Sequence, residues 1–265
     1  MHYSVYIDIY TYTRFIYGGG TNVNTWKSAT RLSLMELKAS WLQLLLFIPF
    51  FSFLYSLFFA ATMENYLFDQ QGYIVFDFVF LGIILLVPVW YRSKFFQIQK
   101  VHGEFWASPP LIMQMQLPIN EKAIARAGLL TYGFISVTSN IVVFVLTYSL
   151  SAALRSVVQP LDMFMFALTW ILLGLALGLI FPASDVGDTI NKTTVTRGFV
   201  MLFGIFIIFM IGLFMILDGG IIYASMIFIK NYPIIAILIS LLLAFISSRY
   251  WTNYMVKHMR TVDYF

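Results

Sequence analysis

The chain contains no cysteine, only three histidines and few charges. Without cysteine there is no disulfide framework and no thiolate metal site. His2, His102 and His258 leave little material for a metal centre. Charged residues make up 11% of the 265 residues, against roughly 25% in a soluble globular chain. Apolar residues make up 60%, and the mean hydropathy is +0.84. Most of any globular surface would be apolar. That excludes a water-soluble monomer, a disordered chain and a nucleic-acid-binding module. The expected solvent is lipid, and the net charge of +4 bears on orientation in a bilayer rather than on an acidic partner.

Catalytic motifs are missing as well. There is no G-x-x-x-x-G-K-[ST] loop to cradle a nucleotide, since Lys192-Thr193 follows Asn191. There is no H-E-x-x-H for a zinc protease and no G-x-S-x-G for a serine hydrolase. The chain is therefore read as binding no cofactor and as having no enzymatic engine of its own.

What is present is a series of long apolar runs. A helix needs about 20 apolar residues to cross roughly 30 Å of hydrocarbon. Six stretches are candidates: Trp41–Thr62, Tyr73–Tyr91, Ala127–Leu150, Met163–Phe181, Gly198–Leu217 and Tyr232–Ser248. This predicts an all-α polytopic membrane protein with six spans, forming one domain over 1–265. With both termini in the cytoplasm, every basic residue except Arg155 and Lys230 falls on the cytoplasmic side, as the positive-inside rule requires. Trp41, Trp90, Tyr91, Tyr250 and Trp251 then mark one interface, and Tyr66, Tyr73 and Tyr148 the other.

Three further segments fall outside the spans. Residues Asn24–Ser40 mix Trp26, Leu32, Met35 and Leu37 with Lys27, Arg31 and Lys38. They suit an amphipathic helix on the cytoplasmic leaflet or a plain extension of the first span. Gly219–Asn231 is apolar but too short to cross, and reads as a re-entrant or interfacial outer segment. Met1–Thr25 carries Tyr3, Tyr6, Tyr10, Tyr12 and Tyr17 without the basic-then-apolar order of a signal peptide. Residues 1–40 are read as a cytoplasmic or interfacial arm, and 92–126 as the cytoplasmic loop where the chain meets a soluble partner.

Asp77 is the one acid within a span. It either reaches water or caps a neighbour, or it lines an outward pathway. Tyr132, Ser136 and Asn140 recur at i, i+4 and i+8, so they share one helix face. That face serves a pathway or interhelical hydrogen bonds. Gly174 and Gly178 form a G-x-x-x-G pair, read as helix packing within the bundle or as a subunit interface.

In Gln114–Leu129, Pro118 disfavours helix at Leu117. Asn120 is a good N-cap, and Glu121 complements the positive end of the helix dipole. The spacing predicts a helix from Glu121 that runs into the third span, with its first turns protruding as a lever. Leu117-Pro118-Ile119-Asn120-Glu121-Lys122-Ala123-Ile124-Ala125-Arg126 resembles the LP-[IV]-[SN]-x-[KR]-x-I segment of ABC-2 type permease subunits, which have six spans each. There the segment follows the second span and meets the ATPase. One departure is that an acid–glycine pair upstream stands here in reversed order, as Gly103-Glu104.

The resemblance implies a separate ATP-binding cassette ATPase that holds ATP and Mg, and a second permease chain in a homo- or heterodimer; the lack of cysteine and of a signal peptide fits a bacterial plasma membrane. It also implies ATPase contacts at Leu117, Pro118, Ile119, Asn120, Glu121, Lys122 and Arg126, with Lys100, Glu104 and Trp106 as weaker ones. An apolar body rich in phenylalanine points to a hydrophobic or amphipathic cargo moved outward, such as a peptide, an antimicrobial or a lipid-like molecule. Two alternatives stand beside an exporter: an ion-coupled secondary transporter, for which Asp77 would be the ionisable group, and a non-transporting scaffold or immunity protein.

Overall fold

The structure, a computed structural model, describes residues 24–69, 73–189, 200–201, 204, 207–208, 211–212, 220–262 and 264. The first 23 residues and most of the expected fifth span, Gly198–Leu217, lie outside them. Among the described residues four helices are long and apolar enough to cross a membrane. These helices are consistent with a polytopic membrane protein.

Helix α1 (Thr25–Ala39) starts at Asn24, whose side chain accepts a hydrogen bond from the Trp26 N–H at 3.0 Å. It buries Ala29, Leu32, Ser33 and Glu36, the i, i+3, i+4, i+7 stripe of an amphipathic helix. Ser40 then breaks the helix, and α2 (Trp41–Glu64) follows. The segment is thus a distinct helix rather than an extension of the first span. Helix α3 (Tyr73–Trp90) ends at the basic residues 92 and 94.

The loop from Arg92 is more structured than the sequence predicts. Strand β1 (Gln99–His102) pairs antiparallel with β2 (Phe105–Ala107) around a turn at Gly103. The reversed Gly103-Glu104 pair is that turn. Helix α4 (Pro109–Met115) follows. Helix α5 (Glu121–Leu150) runs unbroken for 30 residues, about 45 Å at 1.5 Å per residue. A short α6 (Ala152–Val157) leads to α7 (Pro160–Gly178) and α8 (Ile180–Ser184), which together make one apolar rod. Strand β3 (Asp188–Thr189) adds to β2. Helices α9 (Gly220–Asn231) and α10 (Pro233–Met259) complete the described chain.

The chain is mostly helical, as the all-α reading expects, and a small sheet of order β1-β2-β3 is added to it. Its strands are too short, and its pairing too dependent on two turns, to leave a period-two signal in an apolar sequence. Gly187 makes the junction possible. Its φ is +90°, and a Cβ there would lie 2.6 Å from the Ala107 Cβ and 2.8 Å from the Trp106 carbonyl oxygen.

The apolar core has two parts. One gathers α2, α3, α5, α7 and α9 around Phe80, Phe144, Phe166 and Trp170. The other gathers α1, α4, α5, α8 and α10 at the basic end, around Leu32, Ile124, Leu179 and Met255. Helix α5 belongs to both and is the axis of the molecule.

Candidate functional site

The segment resembling an ATPase contact forms the exposed start of α5. Asn120 keeps non-helical angles, and its side chain accepts from the Lys122 N–H at 2.9 Å. Pro118, Asn120 and Lys122 are exposed, whereas Leu117, Ile119, Glu121 and Arg126 are half-buried. The Glu121 carboxylate accepts from Arg260 Nε at 2.7 Å, which ties the end of α10 to the start of α5. The Arg126 guanidinium stacks 4.1 Å from the centroid of the Trp26 ring. The inner face of the first turns is Ala123, Ile124, Ala125 and Ala127, all buried. Alanines there let α1 approach closely, and Thr131 Oγ1 lies 3.0 Å from Ser33 Oγ across the contact. Of the weaker candidates in the same loop, Lys100 and Glu104 are exposed on the hairpin and Trp106 is half-buried on β2.

Beneath this start lies a buried ion triad that the composition does not announce. Arg92, just past α3, donates from Nε to Glu36 of α1 at 2.7 Å and from Nη1 to Asp185, just past α8, at 2.5 Å. All three side chains are nearly closed to solvent. Three segments far apart in sequence are locked at one point. Burial opposes the charge on Arg92, but its two carboxylates outweigh that and hold its pKa above the ordinary value. Burial pushes Asp185 up to about 6, with Arg92 opposing and Glu36 adding to the rise. One guanidinium facing two carboxylates leaves an excess negative charge, so one acid takes up a proton readily.

The sheet and the chain end brace the same region. The Ser108 N–H donates to the Asp185 carbonyl at 3.2 Å. The Tyr264 hydroxyl donates to the Val186 carbonyl at 2.7 Å, and His258 Nε2 lies 3.0 Å from the Gly187 carbonyl oxygen.

Asp77 sits in the other half of the molecule and is buried. Its carboxylate accepts from the backbone N–H of Ile221 at 2.6 Å and of Ile222 at 3.4 Å. It also accepts from the Tyr66 hydroxyl at 2.9 Å, and that hydroxyl accepts from the Tyr223 N–H at 3.0 Å. Asp77 therefore caps the N-terminus of α9, which satisfies donors that would otherwise be orphaned in an apolar core. It is a cap on a neighbour.

Tyr132, Ser136 and Asn140 share one buried face of α5. The Tyr132 hydroxyl donates to the Leu85 carbonyl on α3 at 3.1 Å, and Asn140 donates to Ser136 at 3.3 Å. These contacts pack helices together. Gly174 and Gly178 turn to the same seam. A Cβ on Gly174 would lie 2.6 Å from Ile84 Cγ2, and one on Gly178 would collide with the Tyr132 hydroxyl. Both glycines are buried against neighbouring helices of the same chain.

One groove opens beside the start of α5. It has a volume of about 760 Å³ and runs between α1, α5, the α7–α8 rod and α10. Lys122, Arg126 and Arg249 stand along it, while Gly133, Val137 and Leu175 are among its apolar walls. Among the described residues no three His, Asp or Glu side chains gather as a metal site. Comparison with family models, with curated proteins and with solved structures returns no match.

Proposed function

We propose that this chain is the membrane-spanning permease subunit of an ATP-driven exporter of the ABC-2 type. It has six spans with both termini in the cytoplasm, and lies in a bacterial plasma membrane. A separate ATP-binding cassette ATPase holds ATP and Mg, and a second permease chain completes the pathway. The cargo is hydrophobic or amphipathic. One observation carries this: the capped, exposed turn at Pro118–Lys122 opens a single 30-residue helix that traverses the whole body. A push on the first turn of a stiff, unbroken helix is delivered at its far end. Nucleotide-driven closure of the ATPase would displace α5 together with what is keyed to it, namely α1 through Trp26 and Ser33, and α10 through Glu121–Arg260.

The ion-coupled alternative loses its main support, because the carboxylate it would use is engaged by three donors. The test is purification of the tagged chain from its native membrane. A permease brings down a Walker-motif ATPase whose hydrolysis rate falls when Lys122→Glu is introduced. Absence of any such ATPase, or hydrolysis indifferent to that charge reversal, rejects the proposal and favours a scaffold.

A further inference from the structure

We infer that the groove beside α5 is a binding site for an anionic phospholipid. The first argument is charge. Lys122 and Arg126 on α5 and Arg249 on α10 face the same space. Among the described residues no carboxylate forms an ion pair with any of them, while Glu121 is taken by Arg260. Arg126 and Arg249 rest on ring faces instead, Trp26 at 4.1 Å and Phe245 at 5.3 Å. Such stacking orients a guanidinium and leaves its donors free for an anion, and the planar fork suits a phosphate.

The second argument is shape. The Glu121–Arg260 pair registers α10 against α5. Arg249, eleven residues before Arg260, then stands about 9 Å deeper than Arg126, five residues past Glu121, at 1.5 Å per residue. The cations are staggered down the wall, as a headgroup entering from the membrane surface requires. Below them the walls turn apolar at Gly133, Phe134 and Val137. The groove reaches from Lys122 to Thr138 along α5, long enough to hold a headgroup and the upper part of an acyl chain within one leaflet of about 15 Å. Basic pockets between helices at a membrane surface are where anionic headgroups collect.

Other occupants fit less well. Residues 190–199 of this chain bring Lys192 and Arg197 and no acid, so they add to the positive charge. A soluble anion would not need the apolar floor. The inference does not depend on a partner ATPase, and its test uses the full-length chain alone.

Purified protein is titrated with phosphatidylglycerol and with phosphatidylcholine of the same acyl chains, and bound lipid is counted by native mass spectrometry. Phosphatidylglycerol is expected to bind about tenfold more tightly. The preference collapses in the Arg126→Gln, Arg249→Gln pair and survives in Arg126→Lys, Arg249→Lys. Lys94→Gln with Lys230→Gln, basic positions outside the groove, leaves it intact. Gly133→Leu fills the floor, where a Cβ meets only Leu175 at 3.8 Å, and lowers binding of both lipids with the cations untouched. Should the glutamine pair fail to purify, Gly133→Leu carries the test alone. Equal binding of the two lipids, unchanged binding in Gly133→Leu, or displacement of phosphatidylglycerol by excess inorganic phosphate would overturn the inference.

Discussion

The two halves of this molecule solve the same electrostatic problem differently. At the basic end Arg92 is buried between Glu36 and Asp185, charge against charge. In the other half Asp77 is buried without an ion pair to any described residue, and a helix N-terminus and a tyrosine hydroxyl hold it. The triad joins three segments through side chains alone, so removing one member leaves an uncompensated charge. The Asp77 site joins α3 to α9 through backbone donors, so its strength lies in hydrogen bonds. Each is the joint of its half, and α5 passes between them.

The sharpest way to separate the two is deletion. Arg92→Met strands two buried carboxylates and is expected to cost about 3–5 kcal/mol, read as a large loss of thermal stability in detergent. Adding Glu36→Leu and Asp185→Leu to Arg92→Met should restore most of it, because a whole ion cluster can be exchanged for apolar packing. No such restoration, with the triple variant as unstable as Arg92→Met, would show that the triad is not an isolated charge problem.

At the other joint Asp77→Ala leaves buried N–H groups unsatisfied, at about 1–3 kcal/mol. Asp77→Asn keeps an acceptor oxygen and should cost distinctly less. Hydrogen exchange at residues 221–223 should accelerate in the alanine variant and little in the asparagine variant. Equal damage from both would mean that charge, not hydrogen bonding, holds α9. Between the joints, Gly178→Ala drives a methyl into Tyr132 and is expected to cost about 1–3 kcal/mol, relieved in part by a second change, Tyr132→Leu. Additive losses in that cycle would contradict the contact.

Smaller still is Asn120→Ala, about 1 kcal/mol for a lost cap, visible as faster exchange at Lys122 with the remainder of α5 unmoved. The effect of pH stands apart from these substitutions. The folded pKa of Asp185, about 6, lies above its ordinary value, so the folded state binds that proton more tightly than the unfolded chain. Stability from this group is present below about pH 4 and is lost as pH rises through about 6. Thermal unfolding followed from about pH 4 to about pH 7 should show this decline, and Asp185→Asn should flatten it. An unchanged slope in that variant would place the titration elsewhere.

What the sequence made legible follows from where the signal lies. The cap at Asn120 and the helix from Glu121 were readable because local backbone chemistry sets them. The long apolar helices were readable from composition, and Asp77 stood out as a lone acid among apolar residues. Its partner did not, because backbone N–H groups at 221–223 carry no residue signature. In the sequence Arg92 counts only toward orientation, and neither Glu36 nor Asp185 carries a local signature that points to it. Their union depends on long-range packing of α1, α3 and α8. The sheet escaped notice because its third strand has two residues and is held by Gly187 rather than by its own pattern. The glycine pair was visible, but which neighbour it meets is decided by Tyr132 and Ile84, each on a different helix.

The proposed function is tested most directly by exploiting the absence of cysteine. A single cysteine at position 122, in the chain within its native membrane, accepts a short bifunctional cross-linker. A coupled permease yields one dominant adduct, identified by mass spectrometry as a Walker-motif ATPase, and position 122 resists impermeant thiol reagents added outside the cell. Labelling of position 122 from outside, or adducts that include no nucleotide-binding protein, would contradict it.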